Sequence, residues 1–148
     1  MVRKIVFFGI IVLMWNLGLI LFPIDYGYLT TFRHLIYVNY DIYLFIWGLN
    51  SLFISYSFYK LFIDFDLNNN YIFVFLINYI YTQVFGMFFF VFNSLILSIV
   101  CMCIVATSSV LVYLEAKKID RYSSKFGIIP IIFNGINLMS LMVMFILN

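Results

Sequence analysis

Charge is what this chain has least of. Only 9% of its 148 residues are Asp, Glu, Lys or Arg, against roughly 25% in a typical soluble domain. Too few charges are present to cover a water-facing surface. Hydrophobic residues make up 66% and aromatic residues 22%, and the mean hydropathy is +1.13. A soluble fold is excluded, and an integral membrane protein is expected. Between Asp66 and Glu115 no charged side chain occurs at all. That stretch of about 48 residues would run roughly 72 Å as one straight helix, more than twice a bilayer core of about 30 Å. It must cross twice. The natural turn is Phe92-Asn93-Ser94, because Asn and Ser favour turns and helix N-caps.

Other scarcities exclude other chemistries. No Asp, Glu, Lys, Arg or His falls deep inside an expected span, which removes the usual carriers of ion-coupled transport. No paired carboxylate, nucleophile–base pair or phosphate-cradling glycine loop is present, so hydrolysis and phosphoryl transfer lack equipment. The net charge of +2 resides in loops rather than in a basic stripe, which gives no footprint for nucleic acid. The two cysteines, Cys101 and Cys103, are spaced i, i+2 on a helix. They point to different faces, against a mutual disulfide, and the single histidine, His34, is too distant to complete a metal site. They are expected to be small packing residues.

The chain reads as one membrane domain, 1–148, an all-α bundle of five transmembrane helices at about 5–22, 42–63, 71–92, 94–114 and 126–147. The first run is longer than the roughly 7–15 apolar residues of a signal peptide and ends at Pro23, which cannot donate a backbone hydrogen bond. Lys60, near the end of the second, is placed to snorkel to the headgroups. Pro130 near the start of the last is tolerated in a membrane helix. The long aromatic connection 24–40 can lie in the interface, either as a lid over a site or as a spacer. Five spans place Arg3, Lys4, Lys60, Lys117, Lys118, Arg121 and Lys125 on one side and Arg33 on the other. The positive-inside rule then puts the N-terminus in the cytoplasm and the C-terminus outside.

Uncharged polar residues remain, at helical spacing. On the second span Trp47, Asn50, Ser51, Ile54, Ser55 and Phe58 share a face, and on the third Asn78, Tyr81, Thr82, Phe85 and Phe89 do, with Tyr79 and Gln83 beside them. Asn134 and Asn137 are i, i+3 on the last. In hydrocarbon each amide needs a partner, so these groups should point inward. Two readings fit. They knit helices together, at about 0.6–2 kcal/mol per contact, or they line a cavity for a flat, mostly apolar ligand.

Leu21-Phe22-Pro23-Ile24-Asp25, the stretch Ile77-Asn78-Tyr79-Ile80-Tyr81-Thr82-Gln83-Val84-Phe85, Pro130 and the closing Leu147-Asn148 resemble matching parts of the TspO/MBR family, the tryptophan-rich sensory proteins related to the mitochondrial translocator protein. The resemblance spans nearly the whole chain through short motifs. It implies a five-helix bundle, often a homodimer, in a bacterial plasma membrane. It further implies a cavity under the first loop that binds porphyrin, haem-related tetrapyrroles or sterols, with no required cofactor or metal. Trp47 matches the family's second-helix tryptophan, Asn78 and Gln83 its third-helix polar pair, and Asp25 the acid closing the first helix. The expected lining is Trp47, Asn50, Ser51, Asn78, Tyr81, Gln83, Phe85 and Asn134, with Asp25, Tyr26 and Tyr28 toward the mouth. Some members are associated with light-driven porphyrin breakdown at cavity tryptophans. Here the loop residues 33–40 contain no proline, Asn134 stands where the family has a tryptophan, and Trp15 and Trp47 are the only tryptophans. Three functions follow as expectations: ligand binding, photo-oxidative porphyrin degradation through Trp47, or a non-catalytic interaction subunit.

Overall fold

The computed structural model describes residues 2–22, 25–29 and 40–147. Most of the connection 24–40, expected as lid or spacer, lies outside them (24 and 30–39), as does the side chain of Tyr26. Among the described residues the fold is all-helical: α1 (Val2–Trp15), α2 (Leu17–Leu21), α3 (Tyr26–Leu29), α4 (Tyr40–Asp64), α5 (Asn69–Gly86), a π-helical turn Met87–Val91, α6 (Leu95–Ile119), a 3-10 turn Ser123–Gly127 and α7 (Ile128–Leu147). Three of these stretches, Asn69–Val91, Leu95–Ile119 and Ser123–Leu147, are long and apolar enough to cross a membrane. The protein is membrane-embedded. Its outward side chains fit that solvent: Met139 is 69% exposed and Ile146 78%.

Local chemistry sets most of the boundaries. Asn68 caps α5 by accepting from the Tyr71 N–H at 2.6 Å, and Ser94 caps α6 by accepting from the Leu97 N–H. Between them Asn93 takes φ 50°, a left-handed turn conformation that Asn tolerates. The α5–α6 hairpin therefore turns at Phe92-Asn93-Ser94. Past Leu114, α6 continues to Ile119, about a turn beyond the expected end. Charge there marks the membrane edge rather than the helix end: Glu115 and Lys118 pair at i, i+3, and Lys117 and Lys118 suit the helix C-terminus. Asp120 then ends the helix and accepts the Ser123 N–H at 2.6 Å. Those hydrogen bonds from Ser123 hold its carboxyl below the usual carboxylate range. Pro130 lies in the first turn of α7, where its missing N–H is least costly.

The first expected helix, 5–22, is not continuous. Asn16 Nδ2 donates to the Val12 carbonyl at 2.8 Å, the acceptor that the Asn16 backbone N–H would use in an unbroken helix. That N–H turns instead to Leu13 O at 3.1 Å. A side chain has displaced the backbone from its own ladder, and the helix splits into α1 and α2.

Packing is tightest where α5 meets α6 and α6 meets α7, while α1 lies on α4 and α2 on α5. Two apolar clusters form. One contains Ile11, Trp15, Ile54, Leu61, Tyr71, Phe75, Val112 and Ala116. The other contains Phe85, Phe89, Cys101, Met102, Val105, Leu141 and Met144. Along α5, Asn78 falls between the two. Both cysteines are free, and Cys101 is buried with its thiol on the Tyr81 carbonyl.

Candidate functional site

The polar residues divide into two groups, one on each side of α5. Asn78, 0% exposed, directs its amide nitrogen at α6: Val105 O lies at 3.0 Å, Ser108 Oγ at 2.9 Å and Ser109 Oγ at 2.9 Å. Asn134 reaches the same Ser109 hydroxyl from α7, donating at 2.7 Å. Ser109 in turn donates to Val105 O at 2.8 Å. One hydroxyl thus receives an amide from each neighbouring helix while anchoring itself to its own, which uses all its capacity. Thr82 donates back to Asn78 O at 2.7 Å. The Thr82 bond stays within α5, whereas Asn78, Ser109 and Asn134 join three helices as interhelical glue.

Gln83, five residues further along α5, does something different. The break at Asn16 leaves backbone groups of the first helix without ladder partners. Gly18 N–H donates to Gln83 Oε1 at 2.5 Å, Gln83 Nε2 donates to Trp15 O at 3.4 Å, and the Tyr79 hydroxyl donates to Met14 O at 3.2 Å. One side-chain amide, with its donor and acceptor both used, stands in for helical bonds that the kink removed. Glycine is required at the contact. A Cβ at Gly18 would lie 2.9 Å from Gln83 O, and one at Gly86 would lie 3.1 Å from Phe22 Cβ.

Beside this contact lies a cleft. Gly18, Leu19 and Phe22 from α2, Trp47 from α4, and Thr82, Gln83, Phe85, Gly86 and Phe90 from α5 and its π turn line it. Trp47 is 7% exposed and meets the Phe133 ring edge-on at 5.9 Å. The free volume is about 10 Å³, room for a single water. A tetrapyrrole does not fit a cleft of this size. π-helical turns such as Met87–Val91 often accompany functional sites, and this one carries Phe90 into the lining.

Of the expected lining, Trp47, Gln83 and Phe85 come together. Asn78 and Asn134 are engaged in the α5–α6–α7 network instead. Ser51 accepts from Asn16 Nδ2 at 3.1 Å and donates to Gly48 O, so it braces the kink. Asn50 is buried on α4, and its Oδ1 has no hydrogen-bond partner among the described residues. Tyr81 packs against the cluster containing Phe85 and Phe89. Asp25 caps the four-residue α3 by accepting from Tyr28 N–H at 3.2 Å. The Tyr28 ring meets Phe89 at 5.4 Å, and burial raises its phenol above the ordinary value, so it is neutral at physiological pH. The lining residues missed from sequence are Gly18, Leu19, Phe22, Thr82, Gly86 and Phe90. Gly18 and Gly86 were the available signal, since small residues let membrane helices approach closely.

No protein-family model matches the chain, and no curated protein matches it.

Proposed function

We propose that this chain is a non-catalytic membrane protein of the TspO/MBR type, with five spans and a cytoplasmic N-terminus in a bacterial plasma membrane. Its cleft between α2, α4 and α5 takes a flat, mostly apolar ligand of tetrapyrrole or sterol type. The observation that supports this reading is convergence. Trp47, Gln83 and Phe85, far apart in sequence, line one cleft with Phe22 and Phe90, giving aromatic faces and one amide for orientation. Ligand pockets hold about 300 Å³ or more, so entry requires α2 to swing away from α5. The turn at Asn16 separates this five-residue helix from α1, and Gly18 and Gly86 leave no interlocking side chains at the contact.

A second reading, a non-catalytic interaction subunit, is favoured by the Ser109 hydroxyl, which is fully used in joining α5, α6 and α7. Photo-oxidative degradation has weaker support. Trp15 packs edge-on against Phe75 and Tyr79 outside the cleft lining, which leaves Trp47 as its single indole.

The test is a panel of protoporphyrin, haem and cholesterol added to the detergent-purified protein, with the Soret band followed for the pigments. Saturable binding of at least one, weakened about tenfold by Trp47→Ala, is the expected result. If none of the three saturates, the interaction-subunit reading replaces this one. Under illumination, bound protoporphyrin should bleach no faster than beside an inert membrane protein. Faster bleaching would make the protein an enzyme.

A further inference from the structure

The turn joining α6 to α7 connects two helices that are each long and apolar enough to cross a membrane, so it lies toward a bilayer surface. A recess of about 390 Å³ opens there, lined by Arg121, Tyr122 and Lys125. Both cations are exposed, and among the described residues neither forms a salt bridge. Glu115 pairs with Lys118. The Asp120 carboxylate keeps its charge while accepting the Ser123 N–H, but it forms no salt bridge with either cation among the described residues. The two cations of the recess outnumber that one neighbouring carboxylate, which leaves a net positive charge there.

Tyr122 shapes the site. Its ring is 64% exposed, where an aromatic favours the membrane interface, and Lys125 Nζ lies 5.8 Å from its centre, within cation–π range. The ring holds the ammonium near the recess, while the guanidinium of Arg121 offers paired donors suited to phosphate oxygens.

We propose that Arg121, Tyr122 and Lys125 form a binding site for the headgroup of an anionic phospholipid. Two cations facing one phosphodiester favour a lipid of net negative charge over a zwitterionic one, whose own ammonium would be repelled. The proposal needs the membrane-embedded fold but not the cleft ligand, so either can fail without the other.

The full-length protein, reconstituted in phosphatidylcholine vesicles, would be probed with spin-labelled phosphatidylglycerol and, separately, spin-labelled phosphatidylcholine. The readout is the relative association of each with the protein, from the motionally restricted fraction of the spectrum. The wild type should prefer phosphatidylglycerol. Arg121→Gln or Lys125→Gln should each reduce that preference by up to about fivefold, the ratio corresponding to one interfacial cation, and the double variant should abolish it. Lys4→Gln, which removes the same charge from α1, should leave it intact. Equal loss in Lys4→Gln would show diffuse surface charge and overturn the site, as would an unchanged preference in the double variant. Displacement of the labelled lipid by millimolar inorganic phosphate at constant ionic strength would assign the recess to a free anion instead. All substituted side chains are exposed, and unchanged thermal unfolding would confirm intact folds.

Discussion

On one side of α5, Asn78 meets two intact helices; on the other, Gln83 meets a broken one. Both are side-chain amides in a membrane protein, five residues apart on the same helix. Asn78 bonds to hydroxyls and a carbonyl of α6, and through Ser109 it is coupled to Asn134 on α7. Gln83 bonds to the backbone on either side of the Asn16 turn. The first arrangement joins helices whose own ladders are complete. The second replaces ladder bonds that a helix has lost, and α5 thereby holds a short segment set off from α1 by the turn. Polar residues in hydrocarbon thus join helices where these are whole and satisfy freed backbone groups where one is broken.

The strongest way to break that contrast is Ser109→Ala. It removes the acceptor for two amides at once, and loss of about 2–3 kcal/mol is expected, read as a lower midpoint in SDS-titration unfolding. Asn78→Ala and Asn134→Ala should each cost less, and a double-mutant cycle between them should be non-additive by about 1 kcal/mol because both act through one hydroxyl. Additivity would show that the two amides are independent. Next in size is Gly18→Ala. Its Cβ meets the backbone oxygen of Gln83, so α2 must lift, at about 1–2 kcal/mol. The loss should be local, with hydrogen exchange accelerated at residues 17–22 and unchanged in α6 and α7. Gln83→Leu should do the same, speeding Gly18 amide exchange about tenfold.

The smallest effect belongs to neither side of α5. Asp120 accepts from Ser123 most strongly when ionised, and its carboxyl titrates below the usual carboxylate range in the folded state. It therefore contributes stability above the unfolded carboxylate value of about 3.9, and that contribution disappears as pH falls through the lower folded value. The difference in unfolding midpoint between wild type and Asp120→Ala should be steady above about pH 5 and shrink as pH falls below about 4. A difference independent of pH would show that the charge is irrelevant.

Local signals were readable from the sequence, and distant ones were not. The hairpin turn could be placed at Asn93 and Ser94 because a left-handed residue and an N-cap depend on neighbours within three positions. The all-helical membrane fold followed from scarce charge. The break at Asn16 gave no comparable warning. A single asparagine in an apolar run usually stays inside a helix, and what sustains the kink is Ser51, Tyr79 and Gln83, 35 or more positions away. The extension of α6 past Leu114 was hidden for another reason, since charge reports where hydrocarbon ends and says little about where helix ends. As for the cleft, residue type grouped Trp47, Gln83 and Phe85, which line it, with Asn78 and Asn134, which do not, and type alone could not separate them. An amide facing another helix and an amide facing a cleft look identical in a sequence.

The central claim is that the α2 side of α5 opens to a ligand while the α6–α7 side stays shut. Trp15→Phe leaves Trp47 as the sole indole, and its fluorescence can be titrated with protoporphyrin in detergent. The account predicts saturable quenching that Asn78→Ala leaves unchanged and that a disulfide tying Phe22→Cys to Gly86→Cys, whose Cβ atoms would lie 3.1 Å apart, abolishes until it is reduced. Quenching that rises linearly with added pigment, or that persists with the disulfide closed, would contradict it.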